Sequence, residues 1–450
     1  MKKSFSILAF LFFFWTISSG QNNGTAPKII STIPEFGDCN VDPELKEIIV
    51  RFDQDMSPGM SLIDTKNTPR TTAKSHWIDK RTFSIPVKLF PDKLYSLAFN
   101  NSRFQNFRNL DGIPLNPDDL HFKTKDISYS ALNKQSYKEL TDLFPKMYSY
   151  ATIKGIDWNS IISKNQSELE NSKSSGEFAL KLVKLLKLAE DPHLWIDVEG
   201  QRFETGKLKI VNNNYTAGLL FSILQDRKAS STFTALSGVY DSIGYFSLRD
   251  WTTDLSDLKL RVWGNSQNPE FPAFDVLKEL SAYPNLIIDV RENTGGNESF
   301  AKKLAALFVN DSIPYEKVVT YNEKSGKFDK EFIKKLYPST NHLDYTGKIY
   351  VLSGPSVMSS NESFILMMKQ LPNTSIIGMK TYGSSGNPKP YTLSNGVTLY
   401  LPSWQAYTID GKLIEGNGVE PDIEIVTNKE DFQKKDILFE KVVSLIKDKK

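Results

Sequence analysis

The sequence predicts two unlike parts: an all-β sandwich over residues 28–125 and, after it, a mixed α/β (α+β) core that opens with helices. Three observations predict this. Short β-prone runs broken by Pro, Gly, Asn and Asp fill the first stretch. Apolar residues then recur at helical spacing between 130 and 190. After 270, apolar strands and amphipathic helices alternate, the pattern of a layered core. At 450 residues the chain is also too long for one ordinary domain.

Taken in order, residues 1–20 read as a secretory signal. Lys2 and Lys3 precede an apolar run of eleven residues, Ile7 to Ile17, and the small residues Ser18, Ser19 and Gly20 follow. The run is short of the roughly 20 residues a membrane span needs, and no Cys follows it to carry a lipid. The expectation is export to the periplasm, the outer-membrane surface or the medium, with no stable membrane insertion once the signal is removed. Residues 21–27 are polar. Strands are predicted at 46–52, 82–87 and 94–99, with turns at Pro58-Gly59, Asn67-Thr68-Pro69 and Asp111-Gly112.

Helices are predicted from Tyr137, Leu140, Leu143 and Phe144, and again from Phe178, Leu180, Leu182, Val183, Leu185 and Leu186, with Asp157 opening one between them. Residues 195–250 alternate polar and apolar without a long helix, and 243–248 is a buried strand. Then come a helix at 274–280, a strand at 285–290, a helix at 300–308, a strand at 348–352, a helix at 362–371 and a strand at 375–379. A short amphipathic helix covers 439–446, within a terminal segment 429–450.

The composition is globular, with 40% hydrophobic and 24% charged residues. Without Lys2 and Lys3 the chain holds 53 basic against 53 acidic residues, so nothing recruits nucleic acid. Cys39 is the only cysteine, which excludes an internal disulfide and a Cys₄ zinc site. Its setting in the β-rich half argues against a catalytic thiol.

Two segments carry chemistry. In the first, the apolar strand Leu286-Ile287-Ile288-Asp289 runs through Val290, Arg291, Glu292, Asn293 and Thr294 into Gly295-Gly296. Glycine at positive φ can turn its N–H toward a bound group, as one half of an oxyanion hole; an ordinary tight turn is the alternative. In the second, the strand Tyr350-Val351-Leu352 leads through Ser353, Gly354, Pro355, Ser356, Val357 and Met358 to Ser359-Ser360-Asn361-Glu362-Ser363, where a helix begins. A serine at a helix start is served by free N–H groups and the positive end of the dipole; a simple helix cap is the alternative.

Together these segments resemble the tail-specific, carboxy-terminal processing serine peptidases and the tricorn core. The pattern is Asp-x-Arg-x-Asn-x-Gly-Gly, met at Asp289, Arg291, Asn293, Gly295 and Gly296, then Ser-x-x-Glu, met at Ser359 and Glu362. Gly378, Thr381, Tyr382 and Gly383 continue it, and Gly418-Val419-Glu420-Pro421-Asp422-Ile423 closes it. Lys154-Gly155-Ile156-Asp157-Trp158 and Asp191-Pro192-His193 fit the family's helical region, so the likeness runs from 130 to 428. It implies a peptidase core of the ClpP/crotonase-like kind over 195–428, led by a helical region over 130–194. Ser31-Thr32-Ile33-Pro34, Gly37 and 49–56, with Asp111-Gly112 and 122–124, likewise resemble bacterial Ig-like domains, covering 28–125.

The resemblance implies Ser359 as nucleophile, with Gly295 or Gly296 and Ser360 supplying oxyanion N–H groups. Ser360, Ser356 and Ser363 are the lesser candidates, and Glu362 is read as a structural helix residue. The tail-specific branch takes a lysine base one residue after Thr-aromatic-Gly, but Ser384 stands there. Lys380 lies nearby as an alternative. The tricorn-like branch uses a histidine from the helical region, which here is His193, and a distant glutamate, which matches Glu415. Imidazole accepts a serine proton near neutrality, while His342, in a polar loop, is read as structural. The expectation is a serine endopeptidase on peptides or unfolded proteins, without cofactor or metal, and without an inserted PDZ module. The alternatives are an inactive peptide- or lipid-binding protein on the same fold, or an adhesion protein working through its amino-terminal domain.

Overall fold

The computed structural model describes residues 24–125, 129–206, 214–264 and 269–448. The expected signal at 1–20 lies outside the described residues. The chain divides into two units, 1–128 and 129–450.

In the first unit, strands Ile29–Ile33, Glu47–Phe52, Thr82–Lys88 and Arg70–Thr71 form one antiparallel sheet, with His76–Trp77 also paired to Thr82–Lys88. Leu62–Ile63, Leu94–Phe99 and Asp118–Lys123 form another. Alternation places Ile48, Val50 and Phe52 inward, and residues from both sheets share one core. Phe107, on a loop, packs against Phe52, Phe83 and Phe99 with ring centroids 5.2–5.9 Å apart. Asn100 fixes that loop, its buried amide bonding Phe107 N–H and the carbonyls of Phe107 and Leu115.

The second unit is built on a nine-stranded sheet. Its order is Phe271–Pro272, Lys259–Val262, Gln225–Ser230, Ala235–Tyr240, Ile243–Leu248, Asn285–Asp289, Lys348–Ser353, Thr374–Gly378 and Ile423–Glu424. Pairing is antiparallel up to Ile243–Leu248 and parallel from there on. The parallel strands are covered on both faces. Leu286, Ile288, Ile349, Val351 and Ile376 meet helices Ala273–Leu280, Glu298–Ala305 and Ser360–Lys369. Ile287, Tyr350, Leu352 and Ile377 meet the helix Ile437–Lys447. The terminal segment is thus a full face of the core rather than an appendage.

Helices Tyr129–Met147, Trp158–Lys164, Gln166–Glu170 and Ser175–Leu186 share a cluster with Leu393, Val397, Leu399 and Leu401. The strand Trp195–Val198 pairs with Thr398–Pro402 in a second sheet. Packing therefore draws no line at 194/195, and the helical region is joined to the core by its own apolar surface. A hairpin of Ile313–Asn322 and Lys327–Leu336, which sequence pattern does not single out, joins Trp404–Tyr407 in a third sheet. Its outer strand is Lys-rich and mostly exposed, so apolar alternation is absent where an edge must resist further pairing.

Candidate active site

Because strands Asn285–Asp289, Lys348–Ser353 and Thr374–Gly378 run parallel, the turns after Asp289, Ser353 and Gly378 leave the same edge of the sheet. The site is assembled there. Ser359 ends the turn after Ser353 and stands at the N-cap of the helix Ser360–Lys369 with φ 57° and ψ −132°. A non-glycine residue held there costs about 1–3 kcal/mol, strain of the kind found where a side chain must be presented. The Ser359 hydroxyl makes no capping bond, so the simple-cap alternative fails. Its N–H donates to Ser384 O at 2.8 Å, tying this turn to the loop after Gly378.

His193 reaches the same point from the helical region. Asp191 Oδ1 accepts the His193 N–H at 2.9 Å, and Asp191 Oδ2 accepts Tyr148 O–H at 2.9 Å. This tight turn aims the ring. His193 Nε2 lies 3.0 Å from Ser359 Oγ, and Nδ1 lies 2.7 Å from Ser384 Oγ. Burial, the largest influence, holds the imidazole pKa below 6.5; Asp191 opposes this and Arg202 reinforces it.

Among the described residues Glu415 makes no hydrogen bond to His193 or Ser359. The group on His193 Nδ1 is the hydroxyl of Ser384, the residue that replaces the lysine of the tail-specific pattern. Glu415 instead pairs with Lys154 Nζ at 2.9 Å and accepts the N–H of Ser385 at 3.2 Å. It thus holds the loop one residue past Ser384. Burial first, then Asp191, pushes its carboxyl up to about 7, while Lys154 pulls it back. Lys380 pairs with Glu420 at the surface at 3.0 Å, and His342 pairs with Asp344. Glu362 is structural, as expected. It accepts Thr381 O–H at 2.5 Å and the N–H groups of Gly383 and Ser384 at 2.8 and 2.9 Å. Burial pushes its carboxyl up to about 8 against these donors.

The glycine pair is divided in its work. Gly295 packs so tightly that an added Cβ would lie 2.8 Å from Ser359 Cβ, at φ 106°. Its N–H, however, is taken by Asn293 Oδ1 at 2.9 Å, which withdraws Gly295 as oxyanion donor. Gly296, at φ 134°, and Ser360 are left, and neither N–H has a hydrogen-bond partner among the described residues. Asn361 locks the two turns together, donating to Val290 O and Asn293 O at 3.1 and 2.9 Å and accepting from Trp251 Nε1. Ser363 bonds Glu316 at 2.6 Å and is occupied there.

Asp289 and Arg291 of the same motif are an anchor. Arg291, fully buried, bonds Asp289 at 2.9 and 2.6 Å and Asp436 at 3.1 and 2.9 Å, and donates to Asn214 O at 2.6 Å. Asp436 also caps the last helix through Phe439 N–H at 2.9 Å. Among the described residues no group of three or more His, Cys, Asp or Glu is set to hold a metal ion.

Similar proteins place this geometry. Residues 243–425 match the family model described as Peptidase family S41. A protein of Staphylococcus epidermidis named "Probable CtpA-like serine protease" is 30% identical over 145 residues, 32% of this chain and 28% of the relative. The carboxy-terminal processing protease CtpB of Bacillus subtilis is 25% identical over 141 residues, 31% of this chain and 27% of the relative. The chain thus matches under a third of the length of these relatives. Among solved structures, a candidate peptidase from Parabacteroides merdae gives a TM-score of 0.57 at 18% identity, over 70% of this chain and 96% of the other. Mature CPAF complexed with lactacystin gives 0.52 at 13%, over 71% and 98%. At these identities the two structures speak for the fold. Residues 243–425, where the ordered motifs stand in register, are thus similar to peptidase family S41.

Proposed function

We propose that the protein is an exported serine endopeptidase that cleaves peptides or unfolded proteins through an acyl-enzyme on Ser359. The observation that carries this reading is the 3.0 Å approach of His193 Nε2 to a strained Ser359 hydroxyl at a helix start. With Nδ1–H donated to Ser384 Oγ, Nε2 is left to accept the serine proton. Ser359 Oγ then bonds the scissile carbonyl carbon while its proton passes to Nε2. The oxygen's developing charge meets the free N–H groups of Gly296 and Ser360. The leaving amine takes the proton from His193. Water, deprotonated by the same ring, then splits the ester and restores Ser359. The relatives' names, a serine protease and a carboxy-terminal processing protease, support peptide or protein substrates.

A fluorophosphonate probe is expected to form a single adduct at Ser359, located by mass spectrometry. Labelling that survives Ser359→Ala unchanged would reject the assignment. Because the reactive form of His193 is neutral and its pKa is lowered from 6.5, the labelling rate should be level above neutrality. It should fall only below pH 6.5, as the ring gains a proton. Turnover by the purified chain excludes the alternative of an inactive binding protein.

Export rests on the pattern at 1–20, and an Ig-like spacer role for the first unit rests on its two sheets and shared core. Sequencing the amino terminus of the secreted chain should read from residue 21; a start at Met1 counts against a cleaved signal.

A further inference from the structure

We propose a second peptide-binding site, joined through Arg249 and Glu292 to the turn that carries Gly295 and Gly296, that takes an aromatic or large aliphatic side chain next to an acidic one. It deepens the peptidase reading as a substrate exosite and rests on it. The site is a cavity of about 370 Å³ walled by Phe221, Phe233 and Trp263, with Arg227, Leu236 and Arg249 among its lining residues.

The first argument is conformational. Phe233 lies in the loop between strands Gln225–Ser230 and Ala235–Tyr240, its N–H bonded to Ser230 O, with φ 57°. Hairpins give such a position to Gly or Asn, because a bulky side chain there is strained. Here the position carries a phenyl ring that is 44% exposed, so fold stability gains little from it. The ring meets Trp263 edge-on at 5.5 Å, and Trp263, itself 46% exposed, meets Phe221 at 4.9 Å and 90°. Three rings set edge to face leave ring faces open to an apolar guest.

The second argument is charge. Arg227 stands 5.6 Å from the Phe221 ring, and the one hydrogen bond of its side chain among the described residues is a 3.4 Å contact with Phe221 O. It has no carboxylate partner among the described residues, and no acid lines the cavity. Arg249, by contrast, is neutralised by Glu292 at 2.6 Å. A lone guanidinium beside aromatic walls selects a carboxylate next to an apolar group. A chain-terminal carboxylate is ordinarily held by a nest of backbone N–H groups, whereas a side-chain guanidinium suits an internal Asp or Glu.

The third argument is connection. Arg249 donates its N–H to Thr234 O, next to Phe233, and its side chain pairs with Glu292 on the turn that carries Gly295 and Gly296. One residue thus touches both the aromatic loop and the turn beside Ser359.

The test measures binding without cleavage, in a Ser359→Ala background, by fluorescence anisotropy of short peptides blocked at both ends. A peptide centred on Phe-Glu is expected to bind roughly tenfold more tightly than its Phe-Lys counterpart. Arg227→Glu should invert that order, and Trp263→Ala should weaken both peptides. An unchanged preference in Arg227→Glu overturns the proposal, as does binding that requires a free terminal carboxylate. If Trp263→Ala fails to fold, the charge reversal still decides. Failure of the peptidase reading appears separately, as absence of turnover in the chain with Ser359 intact.

Discussion

Ser359→Ala and His193→Ala are each expected to lower kcat by a factor on the order of 10⁴ to 10⁶, and the double variant to be no slower than the worse of the two. The reason lies in the geometry. On the proposed mechanism the imidazole has one productive task, to take the proton of a hydroxyl 3.0 Å away. Once the hydroxyl is gone the ring has nothing to activate, and once the ring is gone the hydroxyl remains protonated. Effects of two groups that act as one unit do not add. Residual catalysis would come from the N–H groups of Gly296 and Ser360, which neither substitution removes. Steady-state kinetics on the four chains measures this, with circular dichroism to show that each is folded. Independent, multiplying losses would mean that the two residues serve different steps. Ser359→Ala should disturb stability little, since Ser359 adopts its strained backbone without a capping bond to lose.

Arg291→Met should be the most destabilising single change away from the chemistry, by about 3–5 kcal/mol. Two carboxylates, Asp289 and Asp436, converge on one guanidinium, and all three side chains are at most 1% exposed. The cluster already carries one negative charge in excess, so removing the cation strands two anions in a dry interior. Asp436→Asn should cost less, because it leaves Arg291 and Asp289 as a balanced pair. Arg291→Lys should fall between, since an ammonium cannot make the two-pronged contacts that Arg291 makes with both acids. Urea unfolding of the set gives the ranking. An Asp436→Asn chain less stable than Arg291→Met would mean that capping of the last helix, rather than charge balance, is what the cluster supplies.

Much of the parallel core was legible because its strands are short apolar runs followed by punctuated turns. The predicted strands at 285–290, 348–352 and 375–379 differ from the observed ones by a residue. The helices at 298–305 and 360–369 begin two residues before the predicted starts, because Asn297 and Ser359 stand at their N-caps ahead of the first apolar residue. The register that singles out Ser359 and the turn that carries His193 were also readable, since both lie in compact local motifs. The roles that escaped depend on contacts between distant segments. Ser384 looked like the loss of a lysine; only folding brings its hydroxyl to a ring 191 residues earlier. Gly295 and Gly296 are equivalent on paper, and the side chain of Asn293 tells them apart by occupying one N–H. Glu415 was matched to the family's distant glutamate, and nothing in the sequence records that Lys154, 261 residues before it, would claim the carboxylate.

The Arg291–Asp436 contact also sets an order in time. Synthesis delivers His193 first, then Arg291, then Ser359, and reaches Asp436 only 145 residues after Arg291. Until then the motif beside Ser359 has a buried cation with half its counter-charge, and the sheet lacks the helix that covers one of its faces. A growing chain on the ribosome therefore already holds its serine and histidine but not the clasp that sets the turn beside them, and the step that completes the site waits for the segment around Asp436.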